Sequence, residues 1–286
     1  MTTAALLLVL GAAVAHAWWN ILAHSVSHLG LPFLWWGALS STVIWIGVVP
    51  FAGGTGSGWV RLICATAVSG ILHACYMVVL QRGYARGRVS TVYATARATG
   101  PVVTCLLAVA LFQERPGFYA AAGIVIVLAG VVAIALLDTN QSVASVVRDP
   151  AMGYGLLTGL AIAAYSLWDA HAVQQWDVAP VAFMVGCTAM QLLLYAPAIA
   201  TNRDHVLAVG GRHAWSIVAF GVLSPLAYIL ILLAMQRAPL SLVAPLREIS
   251  VVLVSLYGVL VLREPHPTAK ISAAVVVVGG ILLIAA

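Results

Sequence analysis

Apolar residues run in long blocks along the chain, and short polar or Gly/Pro-containing breaks separate the blocks. A helix needs about 20 mostly apolar residues to cross a bilayer. The longest polar connection, residues 138–150, follows the fifth block. The pattern predicts an all-α integral membrane protein with ten transmembrane helices, at residues 3–23, 32–51, 60–80, 89–112, 117–137, 151–172, 179–200, 214–235, 240–262 and 268–286.

The two halves of the chain carry the same pattern at an offset of 150 residues. One gapless shift places Thr91 on Ser241, Arg97 on Arg247, Val102 on Val252, Val109 on Val259, Glu114 on Glu264 and Gly130 on Gly280. We therefore expect a first repeat at 1–138, a linker at 139–150 and a second repeat at 151–286. Five spans per repeat is an odd number, so the second repeat enters the membrane from the opposite side. The sequence thus predicts two inverted five-helix repeats, with a solute site at their interface near the midplane.

Composition agrees with a membrane protein, because 63% of the residues are hydrophobic and only 7% are charged, against about 25% charged in soluble domains. The net charge is +5, from 13 Lys and Arg against 8 Asp and Glu. No basic run is long enough to indicate nucleic acid binding. The cysteines form no Cys-x-x-Cys or Cys/His ligand spacing, so we expect neither a metal nor another cofactor.

Basic residues in the loops favour termini outside the cytoplasm. Eight of them fall on one side of the predicted topology and three on the other: Arg82, Arg86, Arg88, Arg148, Arg203, Arg212, Arg263 and Lys270 against Arg61, Arg115 and Arg237.

Charged residues inside predicted spans need an explanation, because each costs roughly 2.5 to 3.5 kcal/mol on insertion scales. Arg97 lies about 12 Å deep, at 1.5 Å per residue, and Arg247 lies at a similar depth. Each guanidinium could extend to the nearer interface or pair with a carboxylate between helices. Alternatively, the two could bind a carboxylate, phosphonate or sulfonate of a solute, which suits a forked and permanently charged donor.

Proline residues accompany both arginines. Pro101 lies four residues after Arg97 and Pro245 two residues before Arg247, while Pro225 lies in the preceding span. Helices broken at membrane depth can line a cavity and offer backbone groups to a solute. A simple packing kink is the alternative in each case.

Three further residues are candidates to carry a coupling proton: Glu248, Asp169 and His16. An acid that is partly desolvated in a membrane can titrate near neutral pH, and histidine titrates near pH 6.5. Glu248 and Arg247 should point about 100° apart on a regular helix, so we expect one to face the cavity and the other a neighbouring helix. An ion pair between Arg97 and Glu248 is equally compatible and would remove the proton-carrying role from Glu248.

The first and sixth spans also match, with Trp19 and Asn20 aligned on Trp168 and Asp169, and His16 on Tyr165. Hydrogen bonding between helices would explain many of these groups. As a second explanation, aromatic and amide side chains would shape a solute cavity, and we expect this role for Trp19, Asn20, Tyr93, Tyr165, Trp168 and Tyr228. Glu114 and Glu264 stand beside prolines before the fifth and tenth spans, which is typical of helix starts, and are left out of the site.

Four motifs together resemble those of EamA-type members of the drug/metabolite transporter superfamily. They are His16-Ala17-Trp18-Trp19-Asn20, Ala96-Arg97-Ala98-Thr99-Gly100-Pro101, Ala164-Tyr165-Ser166-Leu167-Trp168-Asp169 and Pro245-Leu246-Arg247-Glu248-Ile249-Ser250. The resemblance covers nearly the whole chain. It implies a secondary carrier in the cell (plasma or inner) membrane that moves amino acids, other metabolites or drugs, often outward. It also implies cytoplasmic termini, against the distribution of basic residues.

The functional hypothesis is an alternating-access exporter of a small organic solute, with the lipid bilayer as its environment and a homo-oligomer as a further expectation. A receptor or assembly component that transports nothing is the alternative class. An intramembrane enzyme would need an activated nucleophile or a metal cluster. The sequence offers no Ser/His/Asp set or Gly-x-Ser-x-Gly motif for that chemistry, so we expect no enzyme.

Overall fold

The computed structural model describes residues 2–26, 29–56, 58–86, 89–139, 149, 151–200, 203–261, 263 and 265–285. The first half contains helices α1 (Thr3–Val26), α2 (Gly30–Ile46), α3 (Trp59–Arg86), α4 (Val89–Leu111) and α5 (Phe118–Thr139). The second half contains α6 (Met152–Gln174), α7 (Pro180–Ala200), α8 (Arg203–Arg212), α9 (Ala214–Met235), α10 (Leu240–Arg247), α11 (Ile249–Leu260) and α12 (Pro267–Ala285). Of the predicted linker, residues 139–150, only 139 and 149 are described. Glu264 lies outside the described residues.

Nine apolar helical segments in the described chain are long enough to cross a membrane, and α10 and α11 together form one of them. The remaining apolar helix, α2, has 17 residues, or about 25 Å at 1.5 Å per residue. It ends at Ile46 instead of residue 51 because Pro50 has no N–H to donate to the Ile46 carbonyl. A short 3-10 helix, Val49–Phe51, follows. The ten-helix count therefore stays a prediction.

Helix α8 was not predicted. It has 10 residues and buries Val206 and Val209, and the indole N–H of Trp36 on α2 donates to the Val206 carbonyl at 2.9 Å. The loop between the seventh and eighth spans is therefore a short helix packed on the end of α2.

Helices from the two halves interlock. Helix α1 of the first half packs along α9 of the second, and α10 and α11 also pack against α1. Helices α3 and α4 both pack along α6. Helix α2 lies against α7, and α5 against α12. One apolar core therefore draws on both halves of the chain.

Glycines bring α5 and α12 into close contact. A Cβ atom placed on Gly123 would lie 2.6 Å from the carbonyl oxygen of Gly280, and one on Gly280 would lie 2.9 Å from the carbonyl oxygen of Gly123. No side chain fits at either position without moving a helix backbone. Small residues that allow such approach are the usual means of packing helices in lipid, where hydrophobic burial gives little driving force.

The ninth predicted span breaks at its centre, between α10 and α11. Pro245 cannot donate to the Ser241 carbonyl, and the Cys105 thiol donates to that oxygen at 3.5 Å instead. The N–H of Glu248 then donates to the Pro245 carbonyl, three residues back, at 3.1 Å. Helices α4 and α9 continue through Pro101 and Pro225, so of these three prolines only Pro245 accompanies a break.

Glu114 caps α10, although the sequence suggested a start signal for the following helix. Its two carboxylate oxygens accept the backbone N–H groups of Leu240 and Ser241, at 2.7 and 2.8 Å. These are the first N–H groups of α10, which have no partner within the helix. A first-half carboxylate thus positions the helix that carries Arg247.

Candidate functional site

A cavity of about 300 Å³ lies at the centre of the bundle, between the two halves of the chain. Helices α1 to α4 line it from the first half, and α6, α7, α9 and the junction of α10 and α11 line it from the second. Of the residues predicted for the site, the wall includes His16, Trp19, Asn20, Tyr93, Arg97, Tyr165, Tyr228, Arg247 and Glu248. The interface between halves is therefore also the place where most of the candidate residues meet.

Glu248 bridges the two arginines. Arg97 Nη1 donates to Glu248 Oε2 at 3.1 Å, and Arg247 Nε lies 3.7 Å from Glu248 Oε1. The side chain of Glu248 is 3% exposed, against 19% for Arg97 and 12% for Arg247. The ion pair between Arg97 and Glu248, which the sequence left open as an alternative, is present. Arg247 and Glu248 do not face different surroundings, because the helix breaks at Glu248 and both residues line the cavity.

Each arginine has a further partner that fixes its orientation. Arg97 Nε donates to the Tyr93 hydroxyl at 3.1 Å, and its guanidinium carbon lies 5.2 Å from the centre of the Tyr93 ring. Arg247 Nη1 reaches the hydroxyl of Ser166 at 3.5 Å. A guanidinium has five N–H donors, so these contacts leave donors on both arginines for a bound group.

Two arginines and one glutamate give this cluster one net positive charge. Arginine is permanently charged, and its planar fork matches the oxygens of carboxylate, phosphate or sulfonate groups. Because both arginine side chains are largely buried, their donors attract an anion more strongly than they would at a protein surface. The arrangement can therefore hold an anion between the two halves of the protein.

Aromatic rings form much of the remaining wall. Trp19 meets Phe220 edge to face at 5.4 Å, and His73 stacks on Tyr165 at 4.0 Å. The sequence reasoning missed the contribution of α3, which lines the cavity with His73, Tyr76, Met77, Leu80 and Tyr84. These residues follow the three- and four-residue spacing of one helix face, so a search for polar and aromatic residues at that spacing could have found them.

Two predicted residues do not line the cavity. The Trp168 indole N–H donates to the Ala65 carbonyl on α3 at 2.9 Å, and its ring meets Trp176 at 5.4 Å. Asp169 is fully buried and accepts a hydrogen bond from the Tyr228 hydroxyl. Asn20, which lines the cavity, donates to its own helix at the His16 carbonyl at 2.7 Å.

Comparisons with known proteins agree with the helical architecture. No curated protein matches the chain. One solved crystal structure, described only as that of a protein, superposes with a TM-score of 0.77 at 19% identity, covering 99% of this chain and 96% of its own; this likeness concerns the fold alone. The model of the EamA-like transporter family matches residues 150–286. The second half of the chain thus matches the EamA-like transporter family, which is part of the drug/metabolite transporter superfamily, and the described residues include nine apolar helical segments long enough to cross a membrane.

Proposed function

We propose that the protein is a secondary active exporter of a small organic solute with an anionic group, such as an amino acid, another metabolite or an organic anion. The observation that carries the proposal is that Arg97 and Arg247 reach one cavity from the two halves of the chain. Their donors converge on a single carboxylate, that of Glu248. A solute carboxylate could use the same donors.

The size and lining of the cavity fit a small solute. Its volume of about 300 Å³ lies at the lower end of ligand pockets, which span about 300 to 1,000 Å³. Trp19, Tyr165 and Tyr228 supply flat apolar surface beside the charged cluster, and Asn20 and His16 supply polar groups. Such a wall can hold the body of a solute while the arginines hold its anionic group.

In many transporters, alternating access is achieved by two repeats that exchange roles around one site. We propose that the halves are inverted repeats of five spans, with α2 as the tenth and shortest span. The packing supports this, because exchanging the halves converts the contact of α1 with α9 into that of α6 with α3. The same exchange relates the contact of α4 with α6 to that of α10 and α11 with α1. The same exchange leaves two contacts unchanged, that of α2 with α7 and that of α5 with α12.

We place the protein in the cell membrane, with the lipid bilayer as its surroundings and a small-molecule solute as its ligand. A homo-oligomer remains part of the proposal. The domains follow the repeat: residues 1–138, a linker at 139–150 and residues 151–286.

Counterflow in proteoliposomes separates a carrier from a receptor or an enzyme. Purified protein is first screened by thermal shift against carboxylates, phosphonates and sulfonates, since a ligand stabilises the folded protein by an amount that grows with the logarithm of its concentration relative to Kd. A labelled compound that shifts the unfolding temperature is then tested for exchange into vesicles preloaded with the unlabelled compound. Only a carrier exchanges label without a net gradient.

Substitutions assign the exchange to the cavity. At a solute concentration near the wild-type Kd, we expect Arg97→Ala and Arg247→Ala each to reduce counterflow strongly, whereas Arg237→Ala should not alter it. Arg237 is an exposed arginine just after α9, and its guanidinium donates to the Leu233 carbonyl of that helix. It therefore controls for the loss of one positive charge. Unchanged counterflow in both cavity variants at equal protein levels would refute the binding role of the arginines.

A further inference from the structure

A buried carboxylic acid lies directly behind the cavity wall. Asp169 on α6 has no exposed surface. Its Oδ2 atom accepts a hydrogen bond from the hydroxyl of Tyr228, whose ring lines the cavity. Its Oδ1 atom has no hydrogen-bond partner among the described residues. Tyr228 is therefore the link between the cavity and a half-satisfied carboxyl group.

Polar groups from several helices face this carboxyl group. The Ser69 hydroxyl and the His73 ring approach it from α3, and the His73 Nδ1 atom lies 2.9 Å from the Ser69 carbonyl oxygen. The other titratable or charged neighbours are Cys187 on α7, Arg247 at the end of α10, and Tyr165 on the same helix as Asp169. Within this set the only fixed charge is that of Arg247, which Glu248 already neutralises in part.

An ionised carboxylate in this position would be costly, because a fully buried charge needs hydrogen bonds to both oxygens. A proton on Oδ1 removes the charge and leaves Oδ2 to accept from Tyr228. A metal cation suits the position less well. Hard cations take six or more oxygen ligands, and the described residues contain no group of three His, Cys, Asp or Glu side chains that could hold a metal.

Glu248 and Asn20, an acid and an amide that line the cavity, are poorer proton carriers than Asp169. Glu248 is held by two guanidinium groups, so a proton bound there would break the contact that joins the halves. The residue of the first half that aligns with Asp169 is Asn20, which cannot titrate. The titratable group is thus present in one repeat and replaced by its neutral isostere in the other.

We propose that Asp169 binds the proton that drives transport, and that Tyr228 connects it to the cavity. The inference rests on the proposed carrier function and names the coupling ion. While the cavity is open to one side, a hydronium ion there gives up a proton: one of its O–H bonds breaks, water remains, and an O–H bond to the carboxylate forms and neutralises Asp169. When the cavity opens to the other side and water reaches the carboxyl group, that bond breaks and the proton returns to water. No electrons are transferred, and no co-reactant is needed.

The probe is the proton itself. Purified full-length protein in proteoliposomes is adsorbed on a solid-supported membrane, and charge displacement is recorded after a pH jump without any solute. We expect a transient current with the wild-type protein. Asp169→Asn should reduce this current to the level of protein-free liposomes. The asparagine amide can still accept the hydrogen bond from the Tyr228 hydroxyl, and asparagine is the residue that the first half carries at the aligned position, Asn20. Asp169→Glu restores a titratable group and should retain the current. Asp204→Asn, which removes the charge of an exposed acid on α8, should retain it as well.

A current that persists unchanged in Asp169→Asn, or a wild-type protein without one, overturns the proposal. If Asp169→Asn aggregates on size-exclusion chromatography, Tyr228→Phe is tested instead. Loss of the hydroxyl donor must shift the pH at which the current is half-maximal. An unshifted midpoint overturns the role proposed for Asp169 and Tyr228. The recording detects proton binding whether or not a solute moves. Its failure therefore concerns Asp169 alone, whereas unchanged counterflow in the arginine variants refutes the proposed carrier.

Discussion

Removing the Glu248 carboxylate should leave two largely buried cationic side chains without the acid that now lies between them. Glu248 lies within 3.1 Å of Arg97 and 3.7 Å of Arg247. It contributes the negative charge of this cluster, and its own side chain is almost fully buried. Glu248→Ala therefore tests whether a carboxylate is needed between the arginines.

The size of the effect follows from the burial of the three groups. Breaking a buried ion pair by removing one partner costs about 3 to 5 kcal/mol. Arg97 keeps 19% exposure and faces the cavity, so the lower end, about 3 kcal/mol, applies. The better helix propensity of alanine at the junction of α10 and α11 offsets at most about 0.7 kcal/mol. A net loss of about 2 kcal/mol should lower the unfolding temperature by roughly 4 to 8 °C, at about 2 to 4 °C per kcal/mol.

Chemical rescue distinguishes this charge effect from a packing defect. Acetate carries the missing carboxylate and should raise the unfolding temperature of Glu248→Ala, whereas acetamide, its neutral counterpart, should not. At 100 times Kd a ligand stabilises by about 2.7 kcal/mol, enough to offset the loss. Asp204→Ala, which removes an exposed acid on α8, should show neither effect. A Glu248→Ala protein that unfolds at the wild-type temperature, or that acetate and acetamide stabilise equally, would refute the reasoning.

Two further substitutions test the packing that positions the site. Gly123→Leu should lower the unfolding temperature by an amount corresponding to about 1 to 3 kcal/mol, because its Cβ would meet the Gly280 carbonyl at 2.6 Å. Gly117→Leu is the control, since a Cβ there meets nothing within 4 Å. Equal effects of the two substitutions would contradict the close contact of α5 and α12. Glu114→Gln should destabilise by about 0.5 to 2 kcal/mol and accelerate hydrogen exchange at the amides of Leu240 and Ser241, which donate to its carboxylate. Exchange at wild-type rates would show that the cap does not hold α10.

The sequence predicts the helical membrane architecture well for a physical reason. A backbone in lipid must satisfy its own hydrogen bonds, so long apolar runs become helices. The prolines at 101, 225 and 245 each allowed a broken helix or a simple kink, and the sequence did not tell which of the three accompanies a break. Helix α8 and the early end of α2 escaped prediction, because they depend on local contacts such as that between Trp36 and the Val206 carbonyl.

The partners of the site residues are harder to obtain from the sequence. The offset of 150 residues relates Arg97 to Arg247, but it does not say that Glu248 would bridge them, because this depends on the local geometry of the α10 and α11 junction. Trp168 aligns with Trp19 in sequence, yet it turns away from the cavity to donate to Ala65. A repeat relates positions along two helices, whereas the side chains that meet there are chosen by packing against all neighbouring helices.

Direct binding of an anionic solute to the arginine variants is the most informative measurement. The Kd of a compound found by the thermal-shift screen is determined by isothermal titration calorimetry for the wild-type protein, Arg97→Ala, Arg247→Ala and the control Arg237→Ala. A hydrogen bond to a charged group contributes about 1.5 to 3 kcal/mol, so each cavity variant should bind roughly 10 to 150 times more weakly, and the control should bind as the wild-type protein does. Wild-type affinity in both cavity variants, or a protein that binds organic cations and no anions, would contradict the proposed solute site.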